Sequence, residues 1–139
     1  MQLTTKGRYA VTAMLDLASN DIGRPMTLDV ISQRQNISLS YLEQLFAKLR
    51  RANLVKSVRG PGGGYLLDAQ AQDISLSAII EAVDENIDLR RCKGLKGCNN
   101  GRQCISHQLW CEVSEQIRDF LSSKTLQMVI DNHGMKGIK

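Results

Sequence analysis

Two adjoining stretches decide the fold: Ser38-Leu39-Ser40-Tyr41-Leu42-Glu43-Gln44-Leu45-Phe46-Ala47-Lys48-Leu49-Arg50-Arg51 and Leu54-Val55-Lys56-Ser57-Val58-Arg59-Gly60-Pro61-Gly62-Gly63-Gly64-Tyr65-Leu66-Leu67. In the first, Leu42, Leu45, Phe46 and Leu49 recur at i, i+3, i+4 and i+7, the stripe of a helix with one buried face. Ser40 and Glu43 have the spacing of a capping box, in which each side chain bonds the other's backbone N–H, and this places the helix start at Ser40. In the second, Leu54–Val58 and Tyr65–Leu67 read as short strands joined by a tip made mostly of glycine. A helix followed at once by such a hairpin predicts a reading head and its wing.

Working outward, Thr4 or Thr5 is expected to cap a first helix reaching about Ser19, with Tyr9, Ala10, Ala13, Met14, Leu17 and Ala18 on its apolar face. Thr27 begins a short helix to about Arg34 with Val30 and Ile31 inward, and Gln35–Ser38 form a tight turn. Beyond the hairpin, Asp73 or Ser75 starts a helix carrying Leu76, Ile79, Ile80 and Val83. A polar, cysteine-bearing loop spans about 86–103. A long helix then runs from about Cys104 to Leu121 with Leu109, Val113, Ile117, Phe120 and Leu121 on one face. Thr125 caps a last short helix to about Asp131, and the tail from His133 is expected to fray. The fold class expected is mainly α with a small β-hairpin: a winged helix-turn-helix domain over 1–85, a ligand loop over 86–103, and a dimerisation helix and tail over 104–139.

The composition is that of a globular protein, with 42% hydrophobic and 23% charged residues in 139. No run of about 18 apolar residues occurs, so no membrane-spanning helix is expected. Met1–Lys6 lacks the apolar stretch of a secretory signal, and the expected compartment is the cytoplasm, where thiols stay reduced. The net charge of +4 averages two unlike halves. Residues 1–67 hold nine Lys/Arg against four Asp/Glu, a net +5; residues 68–139 hold nine against ten, a net −1. Lys48, Arg50, Arg51, Lys56 and Arg59 follow one another with no acid between them. A basic cluster is often only a solvated face; beside a capped helix and a glycine-rich wing it points to nucleic acid.

A helix laid in the major groove meets base edges with its N-terminal residues. Ser38, Ser40, Tyr41, Glu43 and Gln44 lie there. Glu43 repels phosphate but can accept from cytosine N4; the cap and the base contact are equally open roles for it. Arg59, at the base of the wing, suits entry into a narrow A·T-rich minor groove, and Gly60 begins the glycine-rich tip that lets backbone approach the DNA closely. Lys48 and Arg51, with Lys6, Arg8, Arg50 and Lys56, suit phosphates, which position the protein without reading sequence.

The second constellation is Cys92-x5-Cys98-x5-Cys104-x2-His107. Glycines at 94, 97 and 101 allow tight turns, and Arg90, Arg91, Lys93, Lys96 and Arg102 favour thiolates. Three evenly spaced idle thiols would be an oxidation hazard without packing benefit. Three thiolates and an imidazole suit structural zinc or an iron–sulfur cluster; the absence of short C-x2-C knuckles favours the cluster. Cys111 would share a helical face with Cys104 and His107 and is an alternative fourth ligand, although a small apolar helix residue is the plainer reading. No hydrolase-type nucleophile, nucleotide-binding loop or paired carboxylates argue for an enzyme. A cluster carrier with a basic docking surface, or a zinc-stabilised DNA-binding protein without sensing, are the competing classes; a carrier has no need of the wing.

The segments L-T-T-K-G-R-Y-A-V-T-A-M-L-D-L-A (3–18), I-S-L-S-Y-L-E-Q-L-F-A-K-L-R (37–50), V-R-G-P-G-G-G-Y-L-L (58–67) and the C-x5-C-x5-C-x2-H spacing together resemble the bacterial iron–sulfur cluster regulators, a winged-helix repressor family. The resemblance covers nearly the whole chain. It implies a homodimer on palindromic operators with one 2Fe-2S cluster per subunit on Cys92, Cys98, Cys104 and His107. It implies DNA contacts from Ser40, Glu43, Gln44 and Arg59, repression of cluster-assembly genes, and a cluster-donor scaffold protein as a further partner. Cys111 lies outside the ligand set it implies.

Overall fold

The computed structural model describes residues 5–20, 23–83 and 105–136. Helix α1 (Thr5–Ser19) buries Ala10, Ala13, Met14 and Leu17, the spacing read from sequence, while Tyr9 is 37% exposed at its edge. Small alanines on this face allow close approach of the helices packed against it. Helix α2 (Leu28–Gln35) starts where Thr27 accepts a hydrogen bond from the Val30 N–H and ends at Asn36, in the left-handed conformation at φ 54°. Asn tolerates that conformation better than most residues. Only Ile31 of the expected inward pair is buried; Val30 is 40% exposed, because the buried face of α2 runs through Leu28 and Ile31, three residues apart, and Val30 lies off it.

Helix α3 (Leu39–Arg51) begins earlier than expected. Ser38, not Ser40, is its cap: the Ser38 hydroxyl accepts from the Tyr41 N–H at 3.4 Å and its carbonyl from the Leu42 N–H at 3.0 Å. Ser40 sits inside the first turn with its hydroxyl 3.2 Å from that of Ser38, and Glu43 lies a turn beyond the cap, so the expected capping box does not set the helix start. The reason is burial: Ile37 and Leu42, flanking the Ser38 cap at staple spacing, both belong to the core.

Strands β1 (Val55–Val58) and β2 (Gly64–Leu67) pair antiparallel in the register Val55↔Leu67, Lys56↔Leu66, Ser57↔Tyr65, Val58↔Gly64. A single turn of 3₁₀ helix (Ala71–Asp73) leads to α4 (Leu76–Ala82), capped by Ser75, whose hydroxyl accepts from the Ala78 N–H at 3.1 Å; Ser75 thus prevails over Asp73. Ile79, Ile80 and Val83 are buried as expected.

Helix α5 (His107–Ser123) starts three residues later than expected, and α6 (Leu126–Lys136) continues five residues past the expected end, through His133. Thr125 does cap α6, accepting from the Met128 N–H at 3.2 Å. Leu126 is fully buried in the core, and backbone bonds from Leu76 N–H to Lys124 O and from Leu126 N–H to Ile74 O tie this junction to the start of α4. That anchoring, together with packing of α6 on α1, accounts for the longer helix. Cys92, Cys98 and Cys104, the flanking basic residues and the 86–103 loop lie outside the described residues. No described helix is long and apolar enough to cross a membrane.

Candidate nucleic-acid interface and metal-ligand segment

The first turns of α3 present Ser38, Ser40, Glu43 and Gln44 to solvent, with Tyr41 half-buried beside them. Tyr41 is braced by Tyr9 of α1, edge to face, with ring centroids 5.8 Å apart. The sequence pattern places Tyr9 only on the apolar face of α1 and gives no sign of this contact. On the opposite face of α3, Leu42, Leu45, Phe46 and Leu49 are all buried, so the polar residues must point outward. Lys48, Arg50 and Arg51 occupy the last turn, where they also complement the negative end of the helix dipole. The Arg50 Nη1 reaches the Ser57 hydroxyl of β1 at 3.4 Å, which links the helix end to the wing.

The wing projects Arg59 and Gly60, both exposed. Gly60 has φ +94°, a conformation closed to most L side chains, although a Cβ there would meet nothing. The turn closes through the Gly63 N–H, which donates to the Gly60 carbonyl at 2.9 Å. The exposed edge of α3 and the wing thus offer hydroxyl, amide, carboxylate and guanidinium groups.

Behind this surface lies an ion pair that the sequence reading did not single out. Asp16 of α1, 5% exposed, accepts from both ends of the Arg34 guanidinium, with Nε at 3.1 Å from Oδ2, and from Gln35 Nε2 at 2.7 Å. Asn20 Nδ2 adds a bond to the Asp16 carbonyl at 2.8 Å. The hydrogen bond to Asp16 is the main reason the Arg34 guanidinium is held above its ordinary pKa, against a smaller opposing effect of burial. The signal in the sequence is a lone acid set between Leu15 and Leu17, within the apolar second half of α1. The pair ties α1 to the end of α2 across 18 residues of sequence.

Of the proposed metal ligands, His107 is the described one. It is the first residue of α5 and is 7% exposed. Ser106 precedes it without making a side-chain cap; its hydroxyl instead accepts from the Trp110 indole N–H at 2.9 Å. A helix start without a side-chain cap favours negative charge in its vicinity. Around it, Ile105, Leu109, Trp110 and Phe120 are exposed, Leu109 by 52% and Phe120 by 59%, while Ser114, one turn after Trp110, is buried. Of the expected apolar stripe of α5, Leu109 and Phe120 are exposed and Val113, Ile117 and Leu121 are half-buried.

The profile of the Rrf2 family, described as an iron-dependent transcriptional regulator, matches residues 3–132. The chain belongs to the Rrf2 family. Its Rrf2 relatives include the HTH-type transcriptional regulator IscR of Pectobacterium carotovorum, 54% identical over 132 residues that make up 95% of this chain and 80% of that protein. The solved structure of T. potens IscR is 37% identical, with a TM-score of 0.77, covering 95% of this chain and 88% of that one. That of CymR, the global cysteine regulator of B. subtilis, is 32% identical with a TM-score of 0.82 and covers 95% and 98%. The winged-helix fold and the resemblance read from the sequence are both borne out by these Rrf2 proteins. The chain is a DNA-binding transcriptional regulator and not an enzyme.

Proposed function

We propose that this regulator senses a 2Fe-2S cluster, one per subunit, held by Cys92, Cys98, Cys104 and His107, and that it acts as a homodimer, mainly as a repressor of cluster-assembly genes on palindromic operators. The observation that carries the reading is His107: a buried imidazole at the start of α5, a start without a side-chain cap, on a helix whose apolar stripe leaves Leu109 and Phe120 exposed. The donor set fits such a group. Three thiolates from the preceding segment bring negative charge to a helix end that favours it, and the imidazole supplies a neutral nitrogen ligand. The description of the family as iron-dependent supports the metal. When bound, the cluster supplies a redox-active centre whose occupancy depends on deprotonated ligands.

The protein's own residues then divide the work. Residues 1–85 form the reading head, 86–103 the ligand segment and 104–139 the dimerisation element. Ser38, Ser40, Tyr41, Glu43 and Gln44 meet base edges in the major groove, Arg59 and Gly60 enter the minor groove, and Lys48 and Arg51 bind phosphates. Leu109, Val113, Ile117 and Phe120 pair across a two-fold axis, which suits a palindromic site. His107 joins the ligand segment to that paired helix, so loading biases the posture of the two heads. A cluster-donor scaffold protein is a further partner, and the cytoplasm is the compartment in which these thiols stay reduced.

Anaerobically purified protein should contain about two irons and two labile sulfides per chain. Stoichiometric zinc in their place would refute the cluster. Equal affinity of apo and loaded protein for every operator in a panel would refute the sensing.

A further inference from the structure

An isolated two-stranded hairpin is marginally stable and free to swing, and the wing of this protein is held by more than its own two strands. Met26, in the turn before α2, forms a β-bridge with Tyr65 of β2: the Met26 N–H donates to the Tyr65 carbonyl at 3.0 Å and the Tyr65 N–H to the Met26 carbonyl at 2.8 Å. Tyr65 is therefore gripped from both sides, by Ser57 of β1 and by Met26. Its ring stands edge-on to Phe46 of α3, which is fully buried, with centroids 5.1 Å apart. Met26 is itself fixed, because its sulfur accepts from Arg34 Nη2 at 2.9 Å and Arg34 is locked on Asp16.

This clamp depends on Gly64. Its φ is +152°, and a Cβ there would lie 2.5 Å from the Met26 carbonyl carbon and 2.9 Å from the Met26 nitrogen, closer than real Cβ contacts come. The obstacle is backbone, so it cannot turn aside as a side chain could. A side chain at 64 must push β2 off Met26.

We infer that Gly64 is a positioning residue for DNA binding: by admitting the Met26–Tyr65 bridge it sets the wing at a fixed angle to α3, so that Arg59 and the recognition helix reach their grooves as one rigid unit. The inference rests on Arg59 being a groove contact. It goes beyond that reading by placing the determinant of the wing's posture in the turn between α1 and α2.

The test is a double-mutant cycle on a duplex selected by the wild-type protein from a random pool, with hydrogen exchange run alongside. In wild-type protein the Tyr65 amide is protected; in Gly64→Ala it exchanges freely while the α3 amides stay protected. Gly64→Ala and Arg59→Ala each weaken binding about tenfold, and the double variant binds no more weakly than either single one, because both remove the same contact. Wild-type affinity in Gly64→Ala, or full additivity in the double variant, overturns the inference while leaving Arg59 as a contact. Wild-type affinity in Arg59→Ala overturns the contact, and the inference with it. If Gly64→Ala also exposes the α3 amides, Met26→Pro takes its place; it removes the N–H that donates to the Tyr65 carbonyl while leaving β2 and α3 unaltered, and the same affinity outcomes decide.

Discussion

Replacing Asp16 by alanine tests the physical account of how the reading head is held together. The carboxylate is nearly inaccessible, its side chain 2% exposed, and it accepts from Arg34 twice and from Gln35 once. Breaking a fully buried ion pair costs about 3–5 kcal/mol, mostly by stranding the partner charge. Here the Arg34 side chain is 41% exposed and regains water when its partner is lost, so the figure must be discounted for solvent screening. What remains is the loss of hydrogen bonds to a charged acceptor and of the Gln35 tie, about 2–3 kcal/mol in all. For a chain of this size that is a fall in Tm of about 6–12 °C. Urea unfolding of Asp16→Ala, Arg34→Ala and the double variant would measure it. Arg34→Ala should be the more damaging single change, because it leaves the buried carboxylate without its counter-ion, and the cycle should show a coupling of about 1–2 kcal/mol. A pKa raised in a cation means stability present below its ordinary value and lost only as pH climbs through the raised one. For Arg34 that window is strongly alkaline, so its contribution should be flat across neutral pH. An Asp16→Ala protein within about 0.5 kcal/mol of wild type, the range of an ordinary surface change, would refute the reasoning.

Further outcomes follow from the same geometry. Ser38→Ala should cost about 1 kcal/mol in urea unfolding and Ser40→Ala much less, since only Ser38 caps α3; the reverse order would restore the capping box. Lys48→Ala and Arg51→Ala should weaken binding to all duplexes alike and reduce the slope of log affinity against log salt by about one unit each. Phe120→Glu should shift sedimentation from dimer to monomer and remove the concentration dependence of Tm, because that ring is 59% exposed in the single chain; a stable dimer would move the interface elsewhere. Cys111→Ala should leave iron and sulfide content intact, and a loss would make Cys111 rather than His107 the fourth ligand.

Most of what depends on neighbours a few residues apart was legible in the chain itself. The stripe of Leu42, Leu45, Phe46 and Leu49, the glycine-rich tip after Arg59, the caps at Thr27 and Thr125 and the Cys-His spacing each rest on local periodicity or turn chemistry, and the helices and hairpin follow from them. Tertiary structure decided whatever depended on what those elements bury. Two serines two residues apart could each cap α3; Ser38 prevails because Ile37 and Leu42 both enter the core. Nothing local predicts that α6 continues through His133 until it is seen packed on α1. The Asp16–Arg34 pair spans 18 residues and exists only because α1 and α2 cross where they do. The sequence showed that a wing exists and carries Arg59; only packing of the α1–α2 turn against β2 shows what holds it, because a β-bridge between distant segments leaves no periodic trace in either.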